Sequence, residues 1–180
     1  MTGLLDGPVR RSDLARQDDN QILVPTARFN LDNTSVSLRI RDAAGLDFLL
    51  DTVLRPAART STVSMYLMPY PNRHIPSSSN DWPSSNLIFD VDQEHQVAAA
   101  GLLTLERGEQ GHQWMSVGES GRDDVALEMD PTEPGSHVFP SSSFITLPQL
   151  RQVVTEWAFG EVLPPPSIQW REAGDEVRWL

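Results

Sequence analysis

Apolar and polar positions change their spacing several times along the chain, and those changes mark the elements. Residues 1–33 hold Asp18, Asp19, Asn20 and Gln21 among Gly3, Gly7 and Pro8, with no sustained period, which predicts a loose N-terminal arm. From residue 34 to 180 the pattern predicts a single domain. Val36, Leu38 and Ile40 alternate with Ser37, Arg39 and Arg41, as in a half-buried strand. Asp42 is placed to cap a helix in which Leu46, Leu49, Leu50, Val53 and Leu54 recur at three- and four-residue spacing, with Pro56 as its stop. Val63, Met65 and Leu67 then restart the two-residue alternation near Thr62.

Residues 69–85, PYPNRHIPSSSNDWPSS, hold four prolines and five serines and predict a long exposed loop. Long loops within a domain are often functional, and this one carries Tyr70, Arg73, His74 and Trp82, residue types that anchor interfaces. A tolerated insertion is the plainer explanation.

Short strands follow. Leu87, Phe89 and Val91 alternate, residues 97–106 are largely apolar, residues 112–117 contain Trp114, and Val125, Leu127 and Met129 alternate with acids across residues 123–130. Their connections, around 92–95, 107–111 and 118–121, are polar or glycine-rich, as hairpin turns require. A second helix opens on the capping box Thr146 to Gln149 and carries the stripe Leu147, Leu150, Val153, Val154, Trp157 before Gly160. Pro164, Pro165 and Pro166 then force an extended segment holding Ile168 and Trp170, with Val177 and Trp179 beyond it, and these tryptophans are expected to cover the core. The fold class expected is α+β, a mostly antiparallel meander of about five to six strands packed against two helices.

Composition narrows the function. At 180 residues without cysteine, the chain is long enough for a core without disulfides and has neither a thiol nucleophile nor a thiolate zinc site. No apolar run approaches the ~20 residues of a membrane span, and no signal-peptide pattern opens the sequence, so a cytoplasmic protein is expected. All 14 basic residues are arginine, and the formal charge is −11, which disfavours nucleic acid and points to a basic protein as partner. Residues 1–60 balance 8 acids against 8 arginines, whereas residues 81–130 hold 11 acids against Arg107 and Arg122 alone. A solvated face kept soluble by like charge explains that excess equally well.

The motifs of chemistry are missing. Neither G-x-x-x-x-G-K-[ST] nor G-x-G-x-x-G occurs, and the absence of lysine excludes a P-loop. Arg122 interrupts what would have been G-x-S-x-G around Ser120, and the triple serines at 77–79 and 141–143 look like loop composition. His74, His95, His112 and His137 lie far apart in sequence and match no H-E-x-x-H pattern, so surface histidines are expected rather than a metal site. No cofactor is expected. Asp90 with Asp92, and Asp124 with Glu128 and Asp130, project from shared strand faces; a carboxylate-dependent enzyme would need one of them buried with a raised pKa.

One further pattern joins Phe139-Pro140, Leu147-Pro148, the helix to Phe159-Gly160, then Pro164 to Pro166 and Ile168-Gln169-Trp170, with a glycine near Gly101. By these residues the chain, from about Ser35 to Trp170, resembles the first family of immunity proteins of bacterial polymorphic toxin systems, commonly encoded beside nuclease or deaminase toxins. Loop 69–85 stands as an insertion, and three prolines replace the family's Gly-x-x-Pro. The resemblance implies a non-enzymatic immunity protein that binds a cognate, basic toxin, with no direct nucleic-acid or membrane contact. The expected contact surface is Trp82, Asp90, Asp92, Glu94, Trp114, Glu119, Asp123, Asp124, Glu128 and Asp130, with the tryptophans as apolar anchors. A secretion-system accessory or chaperone is the alternative.

Overall fold

Residues 97–104 are apolar at nearly every position, so they suit a strand buried on both faces. The computed structural model describes residues 9–10, 22–32, 34–55, 62–70, 85–104, 112–119, 122–129 and 137–173. The strands are β1 (Val9–Arg10), β2 (Ile22–Leu31), β3 (Thr34–Arg39), β4 (Val63–Tyr70), β5 (Ser85–Asp92), β6 (Val97–Thr104), β7 (His112–Val117), β8 (Ile145–Thr146), β9 (Val162–Leu163) and β10 (Gln169–Glu172); the helices are α1 (Ala43–Val53) and α2 (Leu147–Phe159). An eight-stranded open sheet runs β10-β7-β6-β5-β4-β2-β3, with β8 also on β6, and every pairing is antiparallel. β1 pairs β9 apart from it. The α+β class with two helices holds, and the sheet has more strands than the five to six expected.

The helices form by the signals that predict them. Asp42 accepts the Gly45 amide at 2.8 Å, and Thr146 with Gln149 makes the reciprocal capping box. Leu46, Leu49, Leu50 and Val53 of α1, and Leu150, Val153, Val154, Trp157 and Ala158 of α2, pack on one sheet face against Ala27, Phe29, Val63, Met65, Leu67, Leu87, Phe89, Ala98, Ala100 and Leu102. The Trp157 indole donates to the Ser85 hydroxyl at 3.0 Å, which satisfies its one polar group inside the core. Trp170 packs against the same cluster and donates to the Pro165 carbonyl at 2.7 Å, as core cover.

The opposite face of β6 is covered by irregular chain. Leu127, Met129, Phe139 and Phe144 bury Val97, Ala99 and Met115. Residues 127–129 and 137–139 exchange hydrogen bonds, Met129 N to His137 O and Phe139 N to Leu127 O, both 2.8 Å, around the bridge between Glu128 and Val138. Of the strand expected across 123–130, the described residues 123–129 are a strap: their alternation records which side chains meet the sheet, while their backbone joins no sheet ladder among the described residues.

Two expectations are corrected. Residues 22–31, assigned to a loose arm ending at residue 33, form β2 between β4 and β3, and Val9–Arg10 pair with β9. Pro25 disguises the strand, because a proline argues against a central position. Here its carbonyl accepts Ile40 N at 2.8 Å on the last rung beside β3, so the missing donor falls where that pairing ends. The hairpin to β3, whose last pair is Leu31 with Thr34, turns at Asp32, which has φ 48°. Loop 69–85 begins later than expected, since β4 extends through Tyr70; residues 71–84 lie outside the described residues.

β6 shares one edge between two partners. β7 pairs with Gly101 to Thr104 and β8 with Val97 and Ala98. At the handover Ser116 accepts the Ala100 amide at 3.0 Å and donates to the Ser143 carbonyl at 2.6 Å, while Gly118 N donates to Ser142 O. A Cβ on Gly118 would stand 1.6 Å from the Phe144 carbonyl oxygen, so this crossing needs glycine. Gly118→Ala is expected to lower unfolding free energy by roughly 3 kcal/mol or more. Gly45→Ala, whose Cβ meets nothing closer than 3.5 Å at a helical position, should raise it by up to about 1 kcal/mol. Urea titrations of both variants check the contrast.

Candidate functional site

The turn between β5 and β6 spans Gln93 to Gln96, with Gln96 at φ 58°. Asp92 organises it: one carboxylate oxygen accepts the His95 amide at 2.9 Å, and the other lies 3.0 Å from His95 Nδ1. Gln93 ties the turn to the end of α1 by donating to the Val53 carbonyl at 2.6 Å, one of the acceptors a helix terminus leaves open.

The strap meets this turn. His95 Nε2 lies 3.8 Å from the Asp124 carboxylate, and Asp124 is held by Arg122 through contacts of 3.2 and 3.4 Å. Asp92, His95, Asp124 and Arg122 thus form a chain of alternating charge type between the turn and the strap. Deeper in, Asp90 accepts the Glu128 amide at 2.7 Å and the Val91 amide at 2.9 Å, while Thr62 donates to the Glu128 carbonyl at 3.1 Å. Both backbone groups of Glu128 are therefore fixed to the sheet.

The carboxylates have divergent electrostatics. Burial pushes Asp90 up to about 6, against the lowering effect of its two amide hydrogen bonds and with help from the negative charges of Glu128 and Asp92. Asp92 is also raised by desolvation, but the amide and ring of His95 outweigh it and hold the carboxyl below the ordinary value. The Arg122 hydrogen bond holds Asp124 down as well.

The expected contact residues separate into groups. Asp90, Asp92, Glu94, Asp123, Asp124 and Glu128 come together at this end of the sheet, and β7 carries the chain toward the same end before Glu119. Glu94, Glu119, Asp123 and Asp124 are exposed; Asp90 is largely withdrawn beneath the strap and acts as a tie. Trp114 is corrected as an apolar anchor of this surface. It faces the opposite side of the sheet, packs on the helix-side core and stacks on His112 at 6.3 Å between ring centroids. Strand parity is the cause, since Trp114 is paired with Leu102, a core residue, while Met115 takes the strap side. Trp82 and Asp130 lie outside the described residues. His95, Arg122 and Thr62 were missed; the spacing Asp92-x-x-His95 was the available signal for the first.

His95 between two carboxylates has the donor and acceptor layout of a proton relay, and among the described residues no nucleophilic side chain contacts its ring. The arrangement clamps the strap. No group of three His, Asp or Glu side chains placed for a metal ion occurs among the described residues, and no described helix is long and apolar enough to cross a membrane. No family model, curated protein or solved structure matches the chain.

Because Asp90 binds its proton more tightly folded than unfolded, its contribution is full below the unfolded value of 3.8 and is lost as pH rises through about 6. Moving from pH 7 to pH 5 should therefore stabilise the protein through Asp90 by about 1 kcal/mol, the full effect of roughly 3 kcal/mol being reached only below pH 4. Asp92 and Asp124, with lowered values, act oppositely and weaken the fold only as pH falls below about 4. Asp90→Asn should flatten the slope between pH 5 and 7, which urea unfolding at each pH measures; an unchanged slope would assign it to other groups.

Proposed function

We propose that this chain is an immunity protein, which binds and neutralises a cognate toxin in the bacterial cytoplasm by setting its acidic sheet end against the toxin's basic, nucleic-acid-acting cleft. The observation that carries this reading is the convergence of Glu94, Asp123 and Asp124 on one exposed rim, braced from below by Asp90, Asp92 and His95. The likeness of the segment from Phe139 to Trp170 to the immunity family supports it from the sequence side. So does the overall charge of −11, which favours encounter with a cationic surface.

Neutralisation by this route requires no reacting group. It requires a rigid rim whose charges are in place before encounter, so that little ordering is needed on binding. The clamp favours that, because the strap bearing Asp123 and Asp124 is tied through Glu128 to Asp90 and Thr62 and through Asp124 to His95 of the turn. Exposed charge contributes mainly to association rate and partner choice, and apolar contacts elsewhere would set the dissociation rate.

Co-expression with the product of the adjacent reading frame, scored by survival and co-purification, is the direct test. Rescue with a stable complex is expected. Neither rescue nor complex would move the chain to an accessory or chaperone role. Within a complex, Asp123→Lys combined with Asp124→Lys should slow association about tenfold or more at low salt and flatten its salt dependence. An unchanged association rate would remove this rim as the contact surface.

A further inference from the structure

We propose that the strap, residues 122–129, is an acid-tightened latch, which opens as a local unit when pH rises while the sheet beneath it stays folded. Among the described residues its backbone joins no sheet ladder, and Leu127 and Met129 are its only buried side chains. A segment with so few buried apolar contacts belongs to the low-stability end of a fold, where opening is local. β5 and β6 beneath it are each paired on both edges.

Two polar ties hold the strap beside those side chains, and each contains a titratable group. At one, Asp90 of β5 accepts the Glu128 amide at 2.7 Å, and Thr62 donates to the Glu128 carbonyl at 3.1 Å. At the other, His95 Nε2 lies 3.8 Å from the Asp124 carboxylate, while Nδ1 of the same ring lies 3.0 Å from Asp92. The ties fall on different residues of the strap, Glu128 and Asp124, so the segment is released only when both give way.

Both ties weaken in the same direction. The charges acting on Asp90 are those of Glu128 on the strap and Asp92 on its own strand, both negative, and the nearby Thr62 is neutral. Ionised Asp90 under a closed strap is therefore desolvated and repelled, which pushes its value up to about 6, and lifting the strap returns it to water. Its ionisation favours the open strap. His95 attracts Asp92 and Asp124 only while it carries a proton; once neutral, it leaves Asp124 to Arg122, which belongs to the strap itself and ties it to nothing. Loss of that proton favours opening too. Asp92 and Asp124 are held below the ordinary carboxylate value, so they stay ionised above pH 4 and do not oppose the change. Closure through Asp90 is thus strongest in mild acid and is lost as pH rises through about 6, the sign expected of a carboxyl that holds its proton more tightly when the strap is shut.

Hydrogen exchange by NMR at pH 5 and pH 7, each rate divided by the intrinsic rate at that pH, tests this in the isolated protein. The Glu128 and Met129 amides, bonded to Asp90 and to the His137 carbonyl, read the strap, and the amides of β5 and β6 read the sheet. The strap amides should exchange through a more frequent opening that low urea hardly changes, because little surface is exposed. Their opening constant should rise about tenfold or more from pH 5 to pH 7, tenfold being the part due to Asp90 if it regains its ordinary value when open. Asp90→Asn, which keeps an acceptor for the Glu128 amide without the charge, should remove most of that rise, and adding His95→Gln should remove the remainder. Strap amides that share the opening constant and urea dependence of the β6 amides, or an opening constant equal at the two pH values, overturn the latch in the wild-type protein alone. A rise that survives both substitutions overturns the assignment to these ties. No toxin is needed, so the outcome is separate from that of the rescue experiment.

Discussion

β6 has to be covered on both faces, and the rest of the structure follows from how this is done. Its alanines and Gly101 present little side chain of their own, so neighbouring elements must approach closely to exclude water. On one face α1 and α2 supply leucine, valine and Trp157. On the other no α-helix packs among the described residues, and Leu127 and Met129 of the strap, with Phe139 and Phe144 of the chain after it, do the covering. A strap lacks a sheet partner for its backbone, and orphaned backbone groups under a folded layer are costly. Asp90 and Thr62 meet that cost at Glu128, and Ser116 meets it where β7 gives way to β8.

The acidic end is a product of this requirement. Asp90 lies under the strap because a backbone amide needs an acceptor there, and burial then raises its pKa. Asp92 shapes the turn that brings His95 to Asp124. Two of the acids that look like binding residues in the sequence are thus occupied in holding the strap, and their work lets Glu94, Asp123 and Asp124 stand at fixed positions on the rim. The exposed pair Arg151 with Asp47 and Asp51 joins α2 to α1, and in water such contacts are worth at most about 1 kcal/mol. The helices are held by their apolar stripes instead.

Elements whose signals are local were legible in the sequence. Both caps, both helical stripes and the strand 112–117 stand where spacing puts them, because a cap or a stripe needs only residues within one or two turns. β2 was not legible, since Pro25 breaks its pattern and only the end of the β3 pairing makes the proline harmless. The strap at 122–129 shows the converse: Val125, Leu127 and Met129 alternate like a strand, yet alternation reports side-chain burial and is silent on backbone partners. The acidic rim was visible as composition. Which of its members face solvent depended on Thr62, Asp90 and Glu128 meeting across dozens of residues of chain, and Trp114 changed faces on a single step of register.

Charge and hydrogen bonding are distributed unequally over the surface, which bears on what each region can recognise. At physiological ionic strength an exposed charge is felt over about 8 Å, so the total of −11 matters less than the few acids within that distance of one another. At the rim, Asp92 and Asp124 are already paired with His95 and Arg122, and the amides of His95 and Glu128 are taken by Asp92 and Asp90. That region offers direction to an approaching cation and few free backbone groups. β3 offers the reverse: the bond from Ile40 N to Pro25 O fixes the phase of its ladder with β2, so the amides and carbonyls of Ser35 and Ser37 turn outward with no acid among them.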